Sequence, residues 1–596
     1  MKNREYSRFL YWLVPACMFF LAETVTGNLR SITPLSVVLN LLLYGLLYLG
    51  VFILTGTTKY GWPILNLLLC ALAAGEYFVI SFRERPIMIW DVLALRTAMT
   101  VSTNYRFVIT PRLVLTFLAA ALMGAIVFFR PLAWGKGLLR RTTAGTAWLA
   151  GCLVYGGALF GWLAPTFGLD VPMWDPIVSF EKEGYLLSTL LSFRSVIPPK
   201  PSGYSEEEAV QLAGAQSDGD PEKIRPINVI CIMNESFSDL RLYNGLNGDR
   251  SFETDQTFLD FFDSLTENVQ KGNLYVPVFG AMTANSEYEF LTGNSCAYVP
   301  QGSIPFQFYT KAGDDSLARR FQAEGYRTVA MHPYPGYNWN RTVAYENLGF
   351  DTFLDGGYYD GLEEEMEWER PRGYMSDRSD YDGILRQLRE KEPGEKLFLF
   401  NVTMQNHGGY EVEGLEATVH VTRVNGAECT GEYPKADQYL TLMRMSDEAL
   451  SYLLGELEKF GEPTMVVLFG DHQPSVETPF FENLYGMRWS EVPDHLKINS
   501  FRTPYLIWTN YDRKISETGD MSAFMLGGQV LKEAGMDADG LFAVSQELGE
   551  RYSAVHAMGV LEKDGTFSGS REGISPDSFP DIRRFHVLQY YEIFGE

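Results

Sequence analysis

The sequence predicts an N-terminal bundle of five transmembrane helices followed by an α/β domain with a largely parallel mixed sheet. Three observations carry that prediction. Five hydrophobic segments cluster in the first third of a 596-residue chain, short apolar strands alternate with helices from Ile227 onward, and several of those strands end in polar, chemically competent residues. A chain of this length exceeds one ordinary domain and suits a membrane part joined to a large globular part.

The hydrophobic segments cover 9–25, 35–55, 60–80, 113–129 and 143–163. Each approaches the roughly 20 residues that a helix needs to cross a bilayer core. Buried core helices would not cluster ahead of any globular pattern, and the first segment is too closely followed by others to be only a cleaved signal peptide. With the N-terminus inside, inner segments carry eight Lys and Arg against six outside, a weak positive-inside bias. An odd number of spans then puts everything after residue 165 outside the cell. The loop 83–112 mixes charge with apolar residues at Arg83-Glu84-Arg85-Pro86 and Trp90-Asp91, as an interfacial helix does.

Residues 166–226 read as a juxtamembrane connector, with a short amphipathic helix over 178–191 and a proline-rich stretch at 198–203. Ala213-Gly214-Ala215 has the small-x-small form of a signal-peptidase site, which leaves release after Ala215 open. The charge is split: the first 165 residues hold 14 Lys and Arg against 5 Asp and Glu, the remainder 35 against 69. So acidic a soluble part argues against nucleic acid as a partner and against a basic lipid-docking patch. Six cysteines give no disulfide framework, and Cys231 sits inside an apolar strand as a small hydrophobe.

The globular part, 227–596, has strand patterns at 227–233, 327–331, 397–403, 464–469 and 504–508. Helical patterns fall near 257–270, 314–324, 381–391, 436–460 and 523–534. In the fourth, Leu440, Met443, Leu450, Leu453 and Leu454 recur near helical spacing, the mark of a packed amphipathic helix. Alternation of this kind implies a layered α/β domain.

The candidate site residues sit at strand exits, where open α/β sheets place their ligands. The run Thr464-Met465-Val466-Val467-Leu468 leads into Phe469-Gly470-Asp471-His472-Gln473-Pro474. A carboxylate oxygen beside an imidazole suits a divalent cation, although an Asp-His pair also closes turns. The strand Asn228-Val229-Ile230-Cys231-Ile232-Met233 ends in Asn234-Glu235-Ser236, which brings a second carboxylate to the same rim, where it would equally serve a helix dipole. Thr283, in Ala281-Met282-Thr283-Ala284-Asn285-Ser286-Glu287-Tyr288-Glu289, stands where a loop feeds a helix. It reads as an N-cap or as a nucleophile whose hydroxyl a metal would activate.

Asn-Glu-Ser, Thr-Ala-Asn-Ser-Glu-Tyr-Glu, Trp339-Asn340-Arg341, Asn406-His407-Gly408 and Gly-Asp-His-Gln-Pro occur in that order. Together they resemble the lipoteichoic acid synthase family, membrane phosphoglycerol transferases of the sulfatase and alkaline phosphatase superfamily. The resemblance covers nearly the whole chain and implies five membrane helices and an extracellular sulfatase-like domain. It implies a Mn²⁺ site (Mg²⁺ or Zn²⁺ as alternatives) made by Glu235, Thr283, Asp471 and His472, with Thr283 as nucleophile. It also implies a head-group pocket with Trp339, Arg341, His407 and, in support, His332. Phosphatidylglycerol or a related phospholipid would be the donor, and a glycolipid or teichoic-acid-like polymer the acceptor.

Physically, an arginine forks two donors to phosphate, a tryptophan walls a glycerol or fills a core, and His407 can protonate a leaving alkoxide. One departure stands out: the family pattern has an acid five positions before the tryptophan, and this chain has Tyr334. Cys296-Ala297-Tyr298-Val299-Pro300 does not fit the arylsulfatase nucleophile motif, which counts against sulfate ester hydrolysis. The remaining histidines, His420, His495, His556 and His586, read as structural or exposed. The rival expectations are a phosphoethanolamine transferase or phosphodiesterase of the same superfamily, and a non-catalytic binder of envelope polymer.

Overall fold

The computed structural model describes residues 2–83, 86–88, 108–133, 138–169, 176–195, 198, 200–220, 222–300, 302–410, 414–513, 519–569 and 575–595. The chain divides into two compact units, one within residues 1–198 and one comprising Pro199–Glu596.

In the first unit, helices α1 (Lys2–Thr26), α2 (Pro34–Thr55), α3 (Thr58–Arg83) and α4 (Pro111–Phe129) contain the first four expected hydrophobic segments, and the fifth, 143–163, begins in α5 (Leu138–Ala158) and continues through a π-helical turn at Leu159–Leu163. α2 and α4 begin alike: a threonine side chain, Thr33 or Thr110, accepts a backbone N–H from the first turn, and proline follows at once. Among the described residues, four helical stretches are long and apolar enough to cross a membrane: Pro34–Thr55, Thr58–Ser81, Pro111–Phe129 and Arg141–Phe167. The fifth expected span, 9–25, falls in α1 (Lys2–Thr26), in which the described side chains from Leu13 to Thr26 form an apolar helical stretch.

The expected interfacial helix in 83–112 lies largely outside the described residues. The expected helix over 178–191 is divided into α6 (Pro176–Glu183) and α7 (Tyr185–Leu191). Gly184 divides them: its φ of 81° is left-handed, and a Cβ there would lie 2.6 Å from a Glu23 carboxylate oxygen. That carboxylate receives the Tyr185 N–H at 3.0 Å, which caps α7.

The second unit is built on an eight-stranded sheet. Its strands are β1 (Asn228–Asn234), β2 (Val269–Tyr275), β3 (Tyr326–Met331), β4 (Thr352–Leu354), β5 (Lys396–Val402), β6 (Thr464–Gly470), β7 (Arg502–Thr509) and β8 (Met521–Ser522). The spatial order is β8-β2-β7-β6-β1-β5-β3-β4. From β6 through β1, β5 and β3 to β4 every pairing is parallel, whereas β7 runs antiparallel to both β6 and β2. All seven residues of β1 and of β6 are buried, as inner parallel strands require.

Helices that matter for the site are α8 (Thr283–Thr292), α9 (Arg341–Asn347), α10 (Asp377–Glu390) and α11 (Pro434–Leu457). Side chains alternate across the sheet. Val229, Cys231 and Met233 of β1 join the apolar layer that contains Phe290 and Leu291 of α8. Ile230 and Ile232 join the opposite layer with Ile384 of α10 and Leu440 and Leu450 of α11.

The five expected strands match β1, β3, β5, β6 and β7 to within two residues. The helix expected over 257–270 is corrected: only Asp260–Ser264 is helical, and Val269 opens β2. Gln270, Lys271 and Asn273 disguise that strand, because half its side chains are polar.

Candidate active site

Four parallel strand ends build the site. β1 and β6 pair in register, Asn234 opposite Gly470, so the next residues, Glu235 and Asp471, emerge side by side. β5 ends one strand away, and its following Thr403 accepts the Glu235 N–H at 3.1 Å. β3 ends at Met331 and delivers His332. Gly470 permits the turn, since any Cβ there would collide with the carbonyl oxygen of Phe237.

Glu235, Asp471 and His472 are buried, and one ligand atom from each lies within 4.8 Å of the others. His472 Nε2 stands 3.2 Å from Asp471 Oδ2 and 3.6 Å from Glu235 Oε1. His472 Nδ1 lies 2.9 Å from the Gln473 carbonyl, which can only accept, so the ring proton sits on Nδ1 and Nε2 presents a lone pair. Asp471 Oδ1 accepts the N–H groups of Ser236 and His472, while its Oδ2, wholly buried, accepts no hydrogen bond. Burial and the adjacent Asp471 carboxylate push the Glu235 carboxyl well above its usual range. An orphaned carboxylate oxygen, a second carboxylate and a bare imidazole nitrogen fit a divalent cation of the Mn²⁺ or Zn²⁺ type.

Thr283 opens α8, with its hydroxyl donating to Glu235 Oε2 at 3.4 Å. The preceding Met282 is held in the left-handed region at φ 71°, a conformation that costs a methionine about 1 kcal/mol or more. Ser236, beside Glu235, shares this strain at φ 50°. One turn into α8, the Ser286 hydroxyl donates to the Asp471 carbonyl at 2.6 Å and ties the helix to the metal corner. The positive end of the helix dipole therefore lies beside the threonine oxygen.

The other corner is organised around a buried ion pair. Arg341, at the start of α9, is 2% exposed and directs Nε and Nη2 at Glu287 of α8, with Nε at 2.9 and 3.1 Å from the two carboxylate oxygens. Tyr345 donates its hydroxyl to the same carboxylate. The remaining Nη1 donates to His332 Nε2 at 3.2 Å, while His332 Nδ1–H donates to the Val402 carbonyl at 2.8 Å. Burial and the Arg341 charge push the His332 value well below its usual range and keep the ring neutral.

Arg341 thus has its fork directed at Glu287, which the sequence reading did not foresee. Trp339 is half-buried against the α8 layer at φ 57°. His407 is half-buried at the rim, its Nδ1 3.2 Å from the Tyr374 hydroxyl. Desolvation first, then the neighbouring His472, Arg372 and Arg341, push its value down to about 4 against the Gly408 carbonyl, which raises it.

Behind both corners lies a polar network that the sequence did not reveal. Asn234 donates to Asp377 at 2.8 Å, Asn406 donates to Asn234 and Ser446 at 3.3 and 2.9 Å, and Gln405 joins Asp377 to Ser446. It fixes the loops that carry Glu235 and His407. Glu287 lay within a quoted motif, and the signal for its role was a charge among small and apolar helix residues. Asp377, Arg372 and Tyr374 carried no comparable signal. Of the histidines read as structural or exposed, His420 pairs with Asp255, His586 with Asp577, and His556 is buried.

The sequence model of the sulfatase family matches residues 227–536. A putative cyclic beta-1,2-glucan modification protein of Rhizobium meliloti (strain 1021) is 30% identical over 455 residues, 73% of this chain and 66% of that protein. The lipoteichoic acid synthase of Staphylococcus aureus (strain USA300) is 26% identical over 256 residues, 41% of this chain and 35% of that one. The chain therefore spans just under two thirds of the first relative and about a third of the second. Among solved structures, the Streptococcus pyogenes phosphoglycerol transferase GacH in complex with sn-glycerol-1-phosphate has a TM-score of 0.50 at 20% identity. The match covers 67% of this chain and 96% of that one, and it is a likeness of fold.

Proposed function

This chain belongs to the sulfatase family, as a lipoteichoic-acid-synthase-like member, and from that premise we propose that it is a membrane-anchored, metal-dependent phosphoglycerol transferase. The carrying observation is the Thr283 hydroxyl facing Glu235 at 3.4 Å beside Asp471 and His472, at the start of a helix. In this reading α1 completes a five-span anchor and the catalytic unit lies outside the cell. Glu235, Asp471, His472 and Thr283 hold the metal, which when bound stabilises the threonine alkoxide and the charge on the phosphoryl oxygens.

Thr283 Oγ gives up its proton to solvent and attacks the phosphorus of phosphatidylglycerol or a related phospholipid. The bond to the diacylglycerol oxygen breaks, and a glycerophosphoryl-threonine forms. His407 supplies the proton to the departing alkoxide; a bound phosphodiester anion favours the protonated imidazole and so opposes the lowering by Arg372 and Arg341. An acceptor hydroxyl, its proton passing to His407, then attacks the same phosphorus and releases Thr283, which regains a proton from solvent. Arg341, its charge set against Glu287, positions His332 and orients the head group with Trp339.

Two acceptor classes are consistent with the relatives: a glycolipid or teichoic-acid-like polymer, and an oligosaccharide. The 30% identical glucan modification protein favours the second. Mass spectrometry of Thr283 after incubation of the full chain with phosphatidylglycerol and Mn²⁺ tests the reading. A glycerophosphoryl adduct, absent from Thr283→Ala, is expected. A phosphoethanolamine adduct formed from phosphatidylethanolamine, with none from phosphatidylglycerol, would replace the donor assignment.

A further inference from the structure

Two guanidinium groups act on His407, and they are compensated differently. Arg341 is set against the Glu287 carboxylate, with Nε at 2.9 and 3.1 Å from its two oxygens. Arg372 makes no ion pair with a carboxylate among the described residues. It sits at φ 58° in a short turn whose ends are tied by the Ser376 N–H donating to the Glu369 carbonyl at 2.7 Å. That left-handed backbone is unfavourable for an arginine, and the turn imposes it.

The groups that hold Arg372 are all neutral. Nη2 donates to the carbonyls of Gln405 and His407 at 3.0 and 2.9 Å, while Nη1 reaches the Gly409 carbonyl only at 3.5 Å. The guanidinium carbon stands 5.4 Å from the centre of the Tyr410 ring and 5.9 Å from that of Tyr374. Nε is buried and has no acceptor among the described residues. Carbonyls and ring faces orient a cation without cancelling its charge. Burial accordingly draws the Arg372 value below its usual range. Both N–H groups of Nη2 are engaged, so one N–H of Nη1 is left for a ligand.

The surrounding unit repels anions, since the chain beyond residue 165 holds 35 Lys and Arg against 69 Asp and Glu. A phosphate ester bound beside His407 therefore needs a local cation, and the Arg341 charge already faces Glu287. We propose that Arg372 reads the negative charge of the substrate: the remaining N–H of Nη1 donates to a non-bridging phosphoryl oxygen, and the guanidinium is its counter-charge. The ligand class is a phosphate ester anion, whether it enters as a lipid head group or as a soluble glycerophosphate. This inference rests on the reading of the site as a phosphoryl-transfer centre, and its test reads anion binding separately from transfer.

The probes are glycerol phosphate, a dianion at about pH 8, and its methyl phosphodiester, a monoanion. Both are measured as competitive inhibitors of aryl phosphodiester cleavage by the full-length, Mn²⁺-loaded protein in detergent. Arg372→Gln should bind the monoanion about ten-fold more weakly and the dianion about thirty-fold more weakly. A Coulombic loss grows with ligand charge, whereas a merely displaced loop weakens both ligands alike. Arg372→Lys, which keeps the charge, should stay within about three-fold of the wild type on both. Equal losses on the two ligands in Arg372→Gln, or a lysine variant as weak as the glutamine one, overturn the proposal.

Should Arg372→Gln fail to fold, or the wild type leave the aryl diester uncut, arginine labelling of the wild type decides. Glycerol phosphate should slow the reaction of Arg372 with phenylglyoxal about ten-fold, read by mass spectrometry of its peptide. An unprotected Arg372 overturns the proposal. A wild type that cleaves the aryl diester and ignores phosphatidylglycerol ends the donor assignment and leaves the two-ligand comparison to decide the role of Arg372.

Discussion

The proposed metal corner and the proposed recognition corner of this site solve opposite problems. Glu235, Asp471 and His472 arrive on backbone that the sheet has already fixed, and they are left with mutual repulsion and an orphaned oxygen. Arg341 arrives at a helix start and His332 at the end of β3, and both are engaged internally, by Glu287 and the Val402 carbonyl. The first corner is incomplete without a ligand, whereas the second is nearly saturated without one. Substitutions in the two should therefore fail differently: the metal corner should lose chemistry and keep its fold, and the recognition corner should lose both.

The largest effect falls on the nucleophile. Thr283→Ala should lower transfer by several orders of magnitude with unfolding unchanged to about 1 kcal/mol. Retention of a tenth of wild-type transfer in a phosphatidylglycerol assay would break the covalent mechanism. Next comes Glu287→Gln, which leaves the Arg341 charge buried and unpaired and should cost about 3–5 kcal/mol in denaturant unfolding. Mn²⁺ stoichiometry should survive in whatever fraction folds. A variant of wild-type stability would show that Arg341 has another counter-charge.

Glu235→Gln sharpens the contrast. It should abolish turnover and metal binding, yet in chelator it should unfold about 1 kcal/mol later than the wild type, because one of two facing carboxylates is gone. Calorimetry with and without Mn²⁺ reads both signs, and equal metal-induced shifts in variant and wild type would dissolve the proposed site. The smallest effect on transfer belongs to Tyr345→Phe, which removes one hydrogen bond to the Glu287 carboxylate and should cost about 1–3 kcal/mol of stability. Transfer should fall only as far as Arg341 moves, as a rise in KM at nearly constant kcat would show.

Much of this was legible because it is periodic or contiguous. β1, β5 and β6 declare themselves as apolar runs, and the Asn-Glu-Ser and Gly-Asp-His motifs are continuous with them, so ligand and strand are read together. β2 was hidden because its neighbours β7 and β8 let Gln270, Lys271 and Asn273 occupy a sheet position without an apolar run. β4 and β8, of three and two residues, are too short for a period to show. The Glu287–Arg341 pair spans 54 positions, and its members look alike as exposed charges until the fold buries both. Nothing in the string around Tyr374 distinguishes a tyrosine that touches His407 from one that fills a layer.

Glu235 and Asp471 are neighbours only because two strands whose ends, Asn234 and Gly470, lie 236 positions apart pair without slippage. Displacing either strand by a single residue would turn one carboxylate to the wrong face of the sheet and leave the other alone. In the proposed function, Mn²⁺ affinity is accordingly a gauge of sheet alignment, and a chain with the two strands misaligned would be chemically silent.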